Sequence, residues 1–367
     1  MRARIDKTFL TLTLILTGAG FFIFISASLG LLARETGHFS SIAVNQGVSL
    51  VIGLVLLYFT SRIPYTFWHR YSFFIFLLSI IATLLVFTPW FGFEHAGARR
   101  WLSIGTLSFQ PAEFMKFGFV LYLAAWYSMV KTKVSTWACG LGPVVTLLVV
   151  CAAILAFQPD YGTVIVIAVT GGVMYIVAGG SWKHIGTLVL TGVLGLVILG
   201  TSVPYIKERV VTFLNPQHDQ QGSSYQLKQS LIAIGSGEIF GKGFGQSVQK
   251  FNFLPEPVGD SIFAVFAEEW GFVGSTVLIL LFLAFLLRGY RIGIHAPTTF
   301  ARLVVVGFAT MIVGQSFMNI GSMLGVVPLT GDPLVFVSQG GSSLVIALAA
   351  TGIILNISKH VRLGAPA

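Results

Sequence analysis

Charge is scarce in this chain. Of its 367 residues only 10% are Asp, Glu, Lys or Arg, against roughly 25% in ordinary soluble domains. So small a charged complement cannot cover a soluble surface, which excludes a cytosolic multi-domain enzyme. Cysteine is nearly missing: Cys139 and Cys151 lie in or beside one apolar run. A disulfide framework is thereby excluded. Neither cysteine has a His at metal-site spacing, so both read as packing residues. No internal repeat and no low-complexity tract is present.

What is present is apolar. Hydrophobic residues make up 55% of the chain, and mean hydropathy is +0.87. Runs long enough to span a bilayer, roughly 20 apolar residues each, recur with short polar connections. They predict an all-α polytopic membrane protein of about ten transmembrane helices, at 9–30, 45–61, 71–89, 113–130, 139–157, 162–179, 185–203, 263–287, 300–319 and 341–357. The whole chain, 1–367, reads as one transmembrane domain. The basic start MRARIDK precedes an apolar run with no convincing cleavage site, so the first run reads as an uncleaved span.

Orientation follows from the cations. Arg2, Arg4, Lys7, Arg62, Arg70, Lys131, Lys133, Lys183, Arg288, Arg291, Lys359 and Arg362 fall in one set of short connections. The positive-inside rule makes that set cytoplasmic, with both termini. It also accounts for the net charge of +9, so no nucleic-acid partner is implied. Of the 13 acidic residues only Asp6 falls on that side. Acids contribute little to topology, so their concentration on the extracytoplasmic side points to a binding or catalytic face there. The large extracytoplasmic loop between the seventh and eighth spans, 204–262, is the longest connection. Structureless loops of such length are rarely idle.

Several stretches carry chemistry. In GARRWLSIGTLSFQPAEFMKF (97–117), Arg99 and Arg100 are adjacent cations in an outer loop. Pro111 suits a helix start, and Glu113 and Lys116 lie three apart on one helix face. Lys116 stands inside an apolar span, where an ionisable group is a functional candidate. Either Glu113 and Lys116 pair structurally, or the three cations hold an anionic lipid head group such as a diphosphate. Asp160 in FQPDYGT reads as a helix N-cap or as a buried partner for Lys116. GSGEIFGKGFG fails both the Walker A and the dinucleotide patterns. It reads as a tight turn, or as backbone approaching a head group with Lys242 supplying charge. In LPEPVGDSIFAVFAEEWGFVG, Pro255 and Pro257 forbid a helix around Glu256. Asp260 stands just before an apolar span as an N-cap or a reactive carboxylate, and Glu268 and Glu269 fall in that span's first turns. Asp332 before Pro333 reads as a turn residue, and Ser342 and Ser343 as caps of the last helix.

Together, GARRWL…FQPAEFMKF, FQPDYGT, YQLKQSLIAIGSG…GFGQSVQKFNFLPEP, GDSIFAVFAEEWGFVG and PLTGDPLVFVSQGGSSL resemble the shape, elongation, division and sporulation (SEDS) proteins, in that family's order and over nearly the whole chain. QKFNFLPEP and GIILNISKH look more like the FtsW branch than the RodA branch. The resemblance implies a peptidoglycan glycosyltransferase of the bacterial cytoplasmic membrane that polymerises lipid II on its outer face. It implies a class B penicillin-binding protein transpeptidase and other division or elongation machinery as partners. The family's loop aspartate corresponds to Asp260, and its basic and acidic positions to Arg99, Arg100, Glu113, Lys116, Asp160 and Arg209. Such chemistry needs one base and stabilised diphosphate charge. A divalent cation, Mg or Mn, would serve the second need, but no ligand set is readable. The chain departs from the family at Val258-Gly259, where His-Thr is usual, at Gln339, where Tyr is usual, and at Asp332, where an apolar residue is usual. A precursor flippase and a non-catalytic transpeptidase scaffold would use many of the same residues.

Overall fold

The computed structural model describes residues 5–32, 38–95, 98–104, 107–190, 192, 204–215 and 222–361. The molecule is a helical membrane bundle. In chain order the helices are α1 (Lys7–Leu32), α2 (His38–Arg62), α3 (Tyr65–Leu85), α4 (Pro111–Val130), α5 (Gly142–Ala156), α6 (Tyr161–Val177), α7 (Pro204–Leu214), α8 (Ser223–Ser236), α9 (Ile262–Ile294), α10 (Thr299–Met323) and α11 (Gly341–Ser358). Seven helical segments of the described residues are long and apolar enough to cross a membrane, and α6 is a shorter apolar helix. The predicted span 185–203 falls largely outside the described residues.

The centre of the bundle is α10, with α11 beside it. Both are buried on nearly every face. An all-round apolar helix belongs in such a position. Helix α2 runs along α11, α3 along α4, and α4, α6 and α9 pack on α10. At one end, short polar ties close the bundle. Arg288 donates to both carboxylate oxygens of Asp6 (3.2 and 2.8 Å), the Asp6 amide to Ser358 Oγ, and Lys359 to the Ser61 carbonyl. These are the basic ends assigned to the cytoplasm from sequence.

The opposite end carries elements that hydropathy did not reveal. Three strands, β1 (Gly92–His95), β2 (Ala98–Ile104) and β3 (Leu107–Phe109), form an antiparallel sheet in the order β1-β2-β3. The register pairs Phe93 with Trp101 and Leu102 with Phe109. Loop 204–262 contains the two helices α7 and α8, and the first coincides with the short amphipathic helix that KERVVTFL predicts.

The long helix α9 is broken. Gly271 takes φ 64° and ψ −163°, which ends one helix and begins another. A break inside a membrane leaves backbone groups that water cannot satisfy. Here the chain after α8 satisfies them. The amides of Lys242 and Gly243 donate to the carbonyls of Glu268 and Glu269 (3.0 and 2.9 Å). The amides of Phe272 and Val273 donate to the carbonyls of Glu238 and Ile239 (2.9 and 3.1 Å). The approach needs Gly241 at φ 80° against Gly271, because a side chain on either would run into the other segment's backbone. The Gly-rich run thus makes the tight turn read from its sequence, and makes it against the broken helix.

Two lysines complete the joint. Lys242 Nζ lies 2.6 Å from Glu268 Oε1, and Lys250 Nζ lies 2.7 Å from Glu269 Oε1. Ser247 and Ser26 donate hydroxyls to Glu268 and Glu269 at 2.6 and 2.5 Å. The Lys250 side chain is 0% exposed and the Glu269 side chain 2%. Removing one partner of such a buried pair leaves the other charge uncompensated, so Lys250→Met is expected to cost about 3–5 kcal/mol. Lys250→Met with Glu269→Leu is expected to regain part of it. Thermal unfolding in detergent checks this, and an unchanged midpoint for Lys250→Met would contradict it.

Candidate functional site

Asp260 sits where three loops meet at the sheet-bearing end. Its own turn is built by Glu256, which takes a left-handed φ of 45° between two prolines. The Glu256 carbonyl accepts from the amides of Gly259 and Ser261 (3.1 and 3.2 Å). The helix α9 begins at Ile262 with Ser261 as its N-cap. Asp260 therefore does not cap the helix, and its half-buried carboxylate is left available.

The second loop, 324–340, holds Asp260 in place from the side of α10. Asn319 Nδ2 donates to the carbonyls of both Asp260 and Asp332, each at 2.8 Å. Ser338 Oγ donates to the Gly259 carbonyl and the Gln339 amide to the Val258 carbonyl, each at 2.8 Å. The third element is α7, whose Arg209 donates to the Leu329 carbonyl. A Cβ on Gly331 would lie 3.5 Å from Asp260 Oδ2 and 3.6 Å from Arg209 Nη2. One glycine thus separates the carboxylate from the guanidinium.

The electrostatics of Asp260 follow from this packing. Burial pushes its carboxyl up to about 6, and the Glu256 carboxylate adds to the rise. The Arg209 and Arg100 guanidiniums pull the other way, and Asp160 adds a smaller upward push. A carboxyl near 6 is poised for proton transfer close to neutral pH. Asp332 is also held well above the carboxylate range, first by burial and then by Asp160. Its side chain packs against Gly162 at the start of α6, and its Oδ2 is buried without a hydrogen-bond donor. It is a core group and not the turn residue expected from Asp-Pro.

The other predicted residues divide. Arg100 is half-buried and donates from Nε and Nη2 to the carbonyls of Gln158 and Pro159 (2.7 and 2.5 Å), next to Asp160. Arg99 is its neighbour on β2 and is exposed. The pairing of β1 with β2 slips here, with Arg99 opposite Glu94 and Trp101 opposite Phe93, so Arg100 is the extra residue of a β-bulge. Asp160 is the N-cap of α6, accepting from the Thr163 amide at 3.2 Å, and it also accepts from Gln110 Nε2 at 3.3 Å. Lys116 is not its ion-pair partner. Lys116 is buried against Glu113 at 2.9 Å and Gln315 Oε1 at 2.6 Å. Lys242 is committed to Glu268, as described above. Ser342 does not cap the last helix: Gly340 holds that position, and Ser342 Oγ accepts from the Gln110 amide at 2.9 Å. Glu268 and Glu269 belong to the α9 joint.

Sequence reasoning missed Gln315, Asn319, Lys250 and Ser26. The first two are polar residues four apart on the central helix, a helical spacing that places them on one face and that could have flagged them. Among the described residues, no group of three or more His, Cys, Asp or Glu side chains is placed to hold a metal ion.

Residues 6–363 match the model of the cell cycle protein family that groups FtsW, RodA and SpoVE. The chain belongs to this family. It is 38% identical over 357 residues to stage V sporulation protein E of Bacillus subtilis, covering 97% of this chain and 98% of that one. It is 36% identical over 361 residues to a probable peptidoglycan glycosyltransferase FtsW of Idiomarina loihiensis, covering 98% and 88%. Among solved structures it is similar to a chain of a peptidoglycan synthase complex that coordinates polymerization and crosslinking, with TM-score 0.80, 28% identity and coverage of 97% and 98%. It is also similar to the rod shape determining protein RodA of Thermus thermophilus, with TM-score 0.71, 26% identity and coverage of 97% of each chain.

The bridge made by Asn319 is testable. Each of its two hydrogen bonds is worth about 0.5–1.5 kcal/mol. Asn319→Leu is expected to speed hydrogen exchange at the amides of Gln339 and Ser261 several-fold while the fold persists. Unchanged exchange at both would show that the loops are held without it.

Proposed function

We propose that this chain is a peptidoglycan glycosyltransferase that polymerises lipid II at the extracytoplasmic face of the cytoplasmic membrane. The observation that carries the proposal is Asp260, a half-buried carboxylate raised to about 6 and flanked by Arg209. The names of the relatives and the family membership support the reaction class, and the basic opposite end supports the face. In the reaction, the Asp260 carboxylate takes the proton of the attacking sugar hydroxyl. The hydroxyl oxygen forms a bond to the anomeric carbon of the lipid-linked sugar, and the bond from that carbon to the diphosphate oxygen breaks. The departing diphosphate takes the negative charge, which Arg209 and Arg100 are placed to stabilise. Lys116, Glu113 and Asp160 act by fixing α4 and α6 around this centre. A class B transpeptidase is the proposed partner, in keeping with the similarity to a synthase complex.

Asp260→Asn, purified and folded, is expected to make no glycan strands from lipid II in detergent or liposomes. Normal strand synthesis by that variant would sink the proposal. The pH profile is a second check. A base active when ionised loses activity as pH falls through its pKa, so the acid limb of kcat/KM is expected near pH 6. Glu256→Gln removes a carboxylate that raises Asp260, so it is expected to move that limb to lower pH. A limb that stays in place would mean that another group sets it.

A further inference from the structure

The sheet opens on an apolar edge. From Val86, the C-cap of α3, to Phe93 the chain reads VFTPWFGF, without a charge. Phe87 is 37% exposed, Trp90 89%, Phe91 52% and Phe93 54%. Phe157, just past α5, is 79% exposed, and its ring meets that of Phe87 edge-on at 6.4 Å. Five aromatic side chains thus point outward beside two span ends. Bulk water is a poor environment for so much apolar surface.

Packing fixes the depth of these side chains. Gln158 Nε2 donates to the Thr83 carbonyl at 3.0 Å, which ties the end of α5 to the last turn of α3. The Gly92 amide donates to the Thr88 carbonyl at 3.0 Å, and a side chain on Gly92 would run into the Val86 carbonyl. Strand β1 therefore folds back onto the end of α3 instead of projecting from it. Arg100 ties β2 to the carbonyls of Gln158 and Pro159 in the turn after α5. The apolar edge continues the surface that α3 presents to lipid, where Ile81 and Leu84 are exposed. Two constraints then select one layer. Strand β1 is an edge strand, and an open sheet edge is not tolerated in hydrocarbon. Exposed aromatic rings are not favoured in bulk water. The head-group interface satisfies both, and it is where indole rings concentrate.

We propose that β1 and the turn before it form a membrane-contact surface, seated among the phospholipid head groups of the outer leaflet with Trp90 as its anchor. The partner is the lipid surface itself. The inference stands apart from the glycosyltransferase reading and adds to it a device that sets depth. Arg100 links the sheet to the turn before Asp160, so the sheet holds that end of the bundle at the level of the lipid phosphates. A lipid-linked diphosphate then meets Arg100 without leaving the bilayer.

The test uses the full chain in nanodiscs of phosphatidylcholine and phosphatidylglycerol. The lipids carry bromine either near the glycerol end of the acyl chain or near its tip, and aqueous iodide is the third quencher. The chain has 7 Trp, so the Trp90 signal is read as the difference between wild type and Trp90→Phe, which keeps the surface aromatic. Glycerol-end bromine is expected to quench that signal several-fold more than iodide or chain-tip bromine. Phe93→Cys, in a Cys139→Ser and Cys151→Ala background and carrying an environment-sensitive dye, is expected to rank the quenchers in the same way. Phe74→Cys, within α3 and 62% exposed, is the hydrocarbon reference and is expected to reverse the order of the two bromolipids. The Trp90 difference decides the matter if the labelled variants do not fold. Iodide quenching of Trp90 as strong as that of a free indole in water would overturn the proposal. Iodide quenching that disappears only when a transpeptidase is added would also overturn it, and would assign these aromatics to a protein partner. Neither result depends on strand synthesis by Asp260→Asn, so failure of this proposal and failure of the catalytic reading are distinguishable.

Discussion

A helix that breaks inside a membrane must hand its freed backbone groups to another part of the chain. That constraint organises much of this molecule. The break at Gly271 is filled by residues 238–243, and each side satisfies the other's amides and carbonyls. The glycines at 241 and 271 exist for this approach. Glu268 and Glu269 stand at the same joint, and Lys242, Lys250, Ser247 and Ser26 supply their counter-charges and donors. The joint fixes the short helical piece 262–270, and Asp260 is two residues before that piece begins. A polar loop more than fifty residues long in sequence is thereby anchored at one end to the bundle core.

The second organising element is the polar face of the central helix. Gln315 reaches Lys116 and the Pro333 carbonyl, and Asn319 reaches the Asp260 and Asp332 carbonyls. Helices α4 and α10 and two loops therefore meet through two amide side chains. Amides suit this task because they satisfy donors and acceptors without adding charge to a buried region. The charges that are present come with partners or with raised carboxyl groups. Lys116 has Glu113, and Asp260 has Arg209 nearby. Asp332 is held well above the carboxylate range, as burial without a hydrogen-bond donor requires.

The sequence was legible where one physical rule dominated. Apolar runs located the last two helices to within a few residues: 341–357 was expected and Gly341–Ser358 observed, and 300–319 was expected where Thr299–Met323 formed. Basic residues identified one end of the bundle. Asp160 as a helix cap and Glu113 with Lys116 as an i, i+3 pair are local relations, and both formed. The errors came where a side chain's partner was distant in sequence. Arg100 looks like half of a cationic pair until the carbonyls of Gln158 and Pro159 take its guanidinium. Lys242 looks like a head-group ligand until α9 brings Glu268 to it. The hydroxyls of Ser342 and Ser343 look like caps, yet Ser342 serves the Gln110 amide, 232 residues away.

By itself the sequence determined that this is a helical membrane protein, which end is basic, and which motifs surround Asp260. Those properties follow from composition, hydropathy and local spacing, which a linear chain displays. Only the tertiary structure decided which cation faces Asp260, what the Gly-rich run is for, and that Arg100 ties β2 to the turn between α5 and α6. Each of these depends on contacts across tens to hundreds of residues, and burial sets the charge state and hydrogen-bond needs of every group involved.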